Sequence, residues 1–258
     1  QGCRGRGAFR VDCSAVAGRT ALEPDQVQTV EDSLPALDSE TDANIVLSGF
    51  LGKVFDQYAI PYQIIPNIIE LDESHFRERN PIQPNFICIR TLDPLYNHFC
   101  ILKAFQLVKQ QLSNATLTLV GGGTIRVELE QFVKGQNIQD VTFTGRVDNS
   151  KIYEYLDKSD VMLSTPHIDN MPVSLLEGFN AGLLVISSNV GGVPYMITHG
   201  HNGLLIDSNN YQQLTEQMLY TVNHQQESQD MIHQAFQDVK SYAWSNVRSK
   251  FLAVYSIS

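Results

Sequence analysis

Apolar residues fall along this chain in two alternating rhythms. Short β-branched-rich runs without polar alternation sit at 85–90 (NFICIR), 117–120 (LTLV), 141–144 (VTFT), 161–164 (VMLS), 183–187 (LLVIS) and 203–206 (GLLI). Between them, residues 97–112, 125–133, 150–156, 172–181, 193–198 and 211–221 place apolar side chains three and four apart. The first rhythm predicts strands buried on both faces, the second helices lying on them. Strands alternating with helices of about ten residues predict a doubly wound α/β domain with a parallel sheet. Ligands in such sheets bind outside the carboxyl ends of the strands.

Upstream the pattern differs. Residues 47–58 (LSGFLGKVFDQY) predict an amphipathic helix with Ser48 at its N-cap, and residues 62–65 a short strand. Residues 72–84 are polar, carry two prolines and read as a linker. Residues 1–44 lack lysine and any sustained periodicity, and the expectation there is a disordered or non-native lead-in. At the other end, 241–255 predicts a closing helix with Trp244, Val247, Phe251 and Val254 on one side and Trp244 as its packing anchor. The expected division is therefore 1–44, then 45–78, then the main domain over 79–240, then a crossing helix over 241–258.

Composition narrows the function classes. A net charge of -10 over 258 residues argues against a nucleic-acid groove, which needs clustered Lys and Arg. It leaves room for a small anionic ligand held by a few local donors. The cysteines (Cys3, Cys13, Cys88 and Cys100) form no C-x-x-C pair, so the expectation is reduced thiols in a cytoplasmic protein. No apolar run is long enough to span a bilayer. The first residue is Gln, and no basic stretch followed by an apolar run marks a secretory leader.

Chemistry concentrates at 164–192, STPHIDNMPVSLLEGFNAGLLVISSNVGG. This reads as strand, polar loop, helix, glycine stop, strand and glycine-rich turn. Asp169 lies in the loop and Glu177 within the helix. Pro172 is expected in the first helical turn, where its missing N–H costs nothing. The amides of Val173, Ser174 and Leu175 are then expected to point at the sheet's carboxyl edge as an anion site. A diphosphate on those amides, with carboxylates for sugar hydroxyls, suits a nucleotide-sugar.

The stretch resembles the donor-binding signature of retaining glycosyltransferases of family 4, which have the two-domain GT-B fold. The family's E-x7-E, glycine, strand and GG-x-P turn stand here as Asp169 and Glu177, Gly182, LLVIS, and Gly191-Gly192-Val193-Pro194. SGFLGKVFDQYAIPYQIIPNIIEL, LTLVGGG, VTFTGRV, KSDVMLSTP and YAWSNVRSKFLAVY extend the resemblance, in order, over roughly residues 46–256. It implies a Rossmann-like C-terminal half of a GT-B fold, with a remnant of the N-terminal domain before it. It also implies transfer of a hexose from a nucleoside diphosphate sugar, UDP- or GDP-linked, to a hydroxyl acceptor, with retention.

Carried over by position, Glu177 holds the ribose and Asp169 contacts the donor sugar. Met171, Pro172, Val173 and Ser174 lie near phosphates and sugar. Arg146 and Val147 line the nucleobase, and Arg90 neutralises the diphosphate. Gly121 and Gly122 form a tight turn beside the cleft, and His167 is a candidate for its wall. The family usually has a lysine in a P-x-K-G context after that arginine. Here PLYN places Tyr96 and Asn97 there, and a tyrosine donates a hydrogen bond but carries no charge.

The resemblance further implies no metal and no cofactor, a saccharide or lipid-linked acceptor, and a peripheral place at the inner membrane face. Residues His199 and His201 read as a polar loop rather than a metal pair, for want of a third ligand. Residues 1–44 are too few to supply the expected acceptor domain of roughly 150 residues. Two alternatives follow: a catalytically inactive nucleotide-sugar-binding module, and UDP-sugar epimerisation, whose acid and histidine pattern is absent.

Overall fold

The structure is a computed structural model and describes residues 43–255. The lead-in expected over 1–44 therefore lies almost wholly outside the described residues, as do Cys3 and Cys13. The described part opens with a small parallel unit. Strand β1 (Ile45–Val46) runs into helix α1 (Gly49–Gln57) and returns as β2 (Gln63–Ile64), which pairs with β1. Its own apolar cluster is Val46, Leu51, Phe55 and Ile60. Ser48 does occupy the N-cap of α1, but its side chain makes no capping bond.

The segment after it is more than a polar connector. It crosses the amino edge of the main sheet, where Arg79 is fully buried. Arg79 donates to the carbonyls of Ser159 and Leu156 at 3.0 Å each, and to that of Ala181.

The main sheet has six parallel strands: β3 (Asn85–Ile89), β4 (Thr116–Val120), β5 (Val141–Gly145), β6 (Val161–Ser164), β7 (Leu184–Ser188) and β8 (Leu204–Ile206). Their order is β5-β4-β3-β6-β7-β8. Winding runs outward from β3 in one direction, then restarts at β6 and runs outward in the other. The reversal opens a crevice at the carboxyl ends of β3 and β6.

Helices α2 (His98–Gln111), α3 (Arg126–Gly135), α4 (Ile152–Asp157), α5 (Val173–Asn180), α6 (Tyr211–Asn223), α7 (Gln225–Val239) and α8 (Trp244–Tyr255) complete the fold. Two apolar layers cover the two faces. One runs through Phe86, Leu102, Phe105, Leu117 and Leu214, the other through Ile87, Met162, Leu175, Phe179 and Val185. Neighbours along β3 thus fall into opposite layers, as a sheet buried on both faces requires.

Four expectations need correction. Helix α7 was not foreseen. Met231, Ile232, Ala235 and Val239 form a narrow buried stripe in a glutamine-rich segment, and only His224 separates it from α6. The segment 193–198 is a single 3-10 turn, Val193–Tyr195. Helix α5 starts at Val173, so Pro172 is its N-cap rather than its first turn. Trp244 is 46% exposed and leans on Phe251; Val247 and Val254 anchor α8 instead, against Ile65. Cys88 and Cys100 are free and buried. Among the described residues no helix is long and apolar enough to cross a membrane.

Candidate functional site

Four strand ends converge on the crevice. Arg90 directly follows β3, and Asp169 lies in the loop between β6 and α5. Glycines let the neighbouring turns close on them. Gly121 has φ +145°, and a Cβ there would stand 2.1 Å from the Arg90 carbonyl oxygen. Gly191 has φ +55°, and its Cβ would stand 2.1 Å from the Asp169 carbonyl oxygen. Only a residue without a Cβ fits either place. The next amide, that of Gly192, donates to the same Asp169 carbonyl at 2.8 Å.

At the centre, Arg90 Nη2 donates to Asp169 Oδ2 at 2.6 Å. Both side chains are largely buried, at 17% and 15% exposure. The guanidinium lies over the Tyr96 ring, 5.1 Å from its centre. Tyr96 thus supports the arginine through its ring face. The following residue, Asn97, has φ +49° and ψ +46°. That explains why glycine or asparagine stands at this point of the motif: either tolerates the left-handed region. Thr165 Oγ1 then donates to the Asn97 carbonyl at 3.1 Å, tying the β6 exit to the β3 exit.

Charge in the crevice is held under tension. Burial pushes the Asp169 carboxyl above its usual range, against the pull of Arg90 and of the Asn170 amide that donates to it. Burial also raises the half-buried Glu177 carboxyl, again opposed by Arg90. Both acids therefore lie within the field of one arginine. His98, the first residue of α2, is fully buried, and burial pulls its imidazole down to about 4. Asp93 opposes that shift and Arg90 adds to it. Among the described residues, neither His98 ring nitrogen has a hydrogen-bond partner, nor does the buried Arg90 Nε.

The start of α5 is only partly the expected anion site. The Leu175 amide donates to the Pro172 carbonyl at 3.2 Å and is not free. Among the described residues, the Val173 and Ser174 amides have no partner. Val173 is 39% exposed and Ser174 buried. At its other end α5 stops at Gly182, φ +72°, through bonds from Gly182 N to Phe179 O and from Leu183 N to Gly178 O. This is the Schellman arrangement.

The remaining expected residues separate. Gly122 packs against Arg146, whose Cγ would lie 3.1 Å from a Cβ there. Arg146 itself is exposed, and Val147 is half-buried against the α4 side of the core. His167 is exposed; its amide donates to the Leu95 carbonyl at 2.9 Å, and no contact joins its ring to the central pair. Met171 is buried and is clasped by Asn67, which donates to its sulfur and to its carbonyl. His199 accepts from the Leu205 amide at 3.0 Å, a structural use. Among the described residues no three His, Cys, Asp or Glu side chains are grouped to hold a metal ion.

Sequence reasoning missed Asn67, His98 and Asn170; it noted Ser48 only as an N-cap and Asn97 only within the altered P-x-K-G context. A shallow hollow of about 400 Å3 opens elsewhere, between α3 and β5, lined by Glu130, Lys134, Asn137, Val141 and Phe143. It contains none of the expected site residues.

Comparison with known proteins bears on the fold and the family. A PP-undecaprenol-saccharide alpha-1,4-N-acetyl-D-galactosaminyltransferase of Campylobacter jejuni is 28% identical over 183 residues, 70% of this chain and 49% of the relative. A GDP-mannose-dependent alpha-(1-6)-phosphatidylinositol monomannoside mannosyltransferase of Mycobacterium tuberculosis is 26% identical over 48% of this chain and 34% of its own. The chain thus spans half or less of the length of these curated relatives. Among solved structures, Anabaena HepE in complex with UDP superposes with a TM-score of 0.80 at 16% identity, covering 92% of this chain and 70% of that one. TarM of S. aureus, solved with UDP, gives 0.78 at 16% identity over 88% and 46%. At such identities these likenesses speak to the fold. The model of the family Glycosyl transferases group 1 matches residues 72–238, and the chain belongs to that family.

Proposed function

We propose that this chain is the donor-binding half of a retaining hexosyltransferase of the family 4 kind. It takes a nucleoside diphosphate sugar, UDP- or GDP-linked, whose hexose passes to a hydroxyl acceptor. The observation that carries this reading is the Arg90 and Asp169 pair, set at the point where the sheet reverses. It is partly buried, backed by Tyr96 and flanked by the exposed end of α5.

Each residue then has a task. Arg90 and Asp169 neutralise one another. A diphosphate takes over the Arg90 guanidinium, joined by the Val173 and Ser174 amides at the positive end of α5. That releases Asp169 to accept from a sugar hydroxyl, and Glu177 to accept from the ribose. As the bond to the leaving diphosphate breaks, charge develops where the guanidinium and amides already point. Gly121, Gly122, Arg146 and Val147 form the nucleobase side, and His167 the outer wall. No cofactor and no metal enter this proposal.

The acceptor is a saccharide or lipid-linked hydroxyl, met at the inner face of the membrane by a cytoplasmic protein. Tyr96 in place of a lysine favours a second reading for the chain on its own. In that reading it is a module that binds nucleotide-sugar without transferring it.

Thermal shift tests the donor site that both readings share, and a transfer assay separates them. UDP, GDP, ADP and their sugar conjugates are screened with and without Mg2+. A ligand at a hundred times its Kd stabilises by about 2.7 kcal/mol. For a chain of this size that is a rise of roughly 5–10 °C. The expected result is a shift for one nucleotide family, unaffected by magnesium and abolished by Glu177→Ala. No shift at millimolar ligand would reject the donor-site reading, and sugar transfer by this chain would reject the passive module.

A further inference from the structure

We propose that Ser48 and Asn67, from the small unit of β1, α1 and β2 and the turn after it, are positioning residues for the donor loop at 169–171. Through them the placement of that unit sets the geometry of Asp169. This rests on the donor-site reading and deepens it.

The contacts form an unbroken chain. Ser48 is buried at the N-cap of α1, yet its hydroxyl does not cap that helix. It donates instead to Asn170 Oδ1 at 2.5 Å, across 122 residues of sequence. Asn170 directly follows Asp169, whose carboxylate faces Arg90. From the other side, Asn67 Nδ2 donates to the Met171 carbonyl at 2.8 Å, and the Asn67 amide lies 3.2 Å from the Met171 sulfur. Residue 169 is thus held by Arg90, while 170 and 171 are held by the first unit.

The packing leaves room for this and little else. A Cβ on Gly192 would stand 1.7 Å from the Asn170 carbonyl oxygen and 2.8 Å from Ser48 Oγ. Glycine there admits the loop and the serine together. The loop's own domain offers fewer anchors. Among the described residues, Asn170 Nδ2 is buried without a partner, and so are Ser164 Oγ and Ser187 Oγ, paired in register near the ends of β6 and β7. The first unit has an apolar cluster of its own and meets a layer of the main sheet through Leu47. Its displacement would therefore pull on 170 and 171 and carry the Asp169 carboxylate with them.

The test compares a sugar-bearing nucleotide with the bare nucleotide, since Asp169 is assigned to the sugar. Kd values for UDP, UDP-glucose, GDP and GDP-mannose are measured by calorimetry on the 258-residue chain and on Ser48→Ala, Ser48→Thr and Asn67→Ala. Loss of a buried hydrogen bond is expected to weaken the preferred sugar nucleotide about tenfold. The bare nucleoside diphosphate should change by less than about twofold, and Ser48→Thr, which keeps the hydroxyl, should restore the wild-type ratio. Asn67→Ala carries the same expectation should Ser48→Ala fail to fold. A merely structural role would weaken both ligands alike, or lower only the melting temperature, and either result overturns the proposal. Wild-type chain that binds none of the four ligands rejects the donor-site reading itself, and this inference with it.

Discussion

Two arginine and aspartate pairs lie at opposite ends of the same sheet. At the amino edge, Arg79 is completely buried and Asp160 nearly so. At the carboxyl edge, Arg90 and Asp169 are partly open. Arg79 gives its hydrogen bonds to the carbonyls of Leu156, Ser159, Ala181 and Arg77. Burial and the neighbouring Arg77 draw its guanidinium down to about 10, so it stays charged at neutral pH. Arg90 has one carboxylate and one ring face, with a buried Nε left over. The first arginine joins a crossing segment to the sheet and has four of its five N–H donors spent on carbonyls. The second is held by a partner that an anion can replace. Burial alone did not separate them; unsatisfied hydrogen-bonding capacity did.

The comparison breaks most visibly under matched substitutions. Arg79→Met strands several buried carbonyls, while Asp160 keeps Arg77 and the Gln83 amide. The expected loss is about 3–5 kcal/mol of stability in urea unfolding. Arg90→Met should move stability by no more than about 1 kcal/mol, but weaken nucleoside diphosphate binding about a hundredfold in calorimetry. Equal unfolding losses from the two variants would mean that both arginines are structural.

Acid distinguishes the two ends next. His98 sits near the carboxyl-end arginine, with its imidazole drawn down from 6.5 to about 4. As pH falls through 6.5 the unfolded chain takes up a proton, while the folded chain refuses it until about pH 4. Stability present above pH 6.5 is therefore lost on acidification, by up to about 3 kcal/mol. Asp169 and Glu177, raised by burial, act with the opposite sign, because the folded chain binds their protons first. Urea midpoints at pH 7.0 and 4.5 should show a smaller acid loss for His98→Leu than for wild type. An unchanged difference would show that the buried imidazole does not govern the acid limb.

The smallest effect sharpens the role of the ring under Arg90. Tyr96→Leu should weaken nucleoside diphosphate binding by about two- to fivefold, the worth of a partly exposed cation–π contact. Tyr96→Phe should leave it unchanged. A loss in Tyr96→Phe would instead assign the phenol hydroxyl to the ligand.

Much of the site could be read from the chain because strand ends announce themselves. Arg90 closes an apolar run, Asp169 follows another, and Gly121 and Gly191 stand where turns must be tight. What escaped was of two kinds. Helix α7 buries four apolar residues among glutamines, too narrow a stripe to stand out. The N-terminus of α5 shifted by one residue, which makes Pro172 its cap and leaves the Leu175 amide bonded. A propensity argument cannot resolve a boundary that finely.

The sequence by itself determined the alternation of strands and helices, the parallel sheet and the residues standing at its carboxyl ends. These follow from local periodicity and from the few residue types that tolerate a tight turn. Only the tertiary structure decided which of them meet. Arg90 reaches Asp169 across 79 residues, Asn67 reaches Met171 across 104, and Ser48 reaches Asn170 across 122. No period in the chain encodes such contacts. They exist because β6 lies beside β3, and because the first unit closes over the loop that leaves β6.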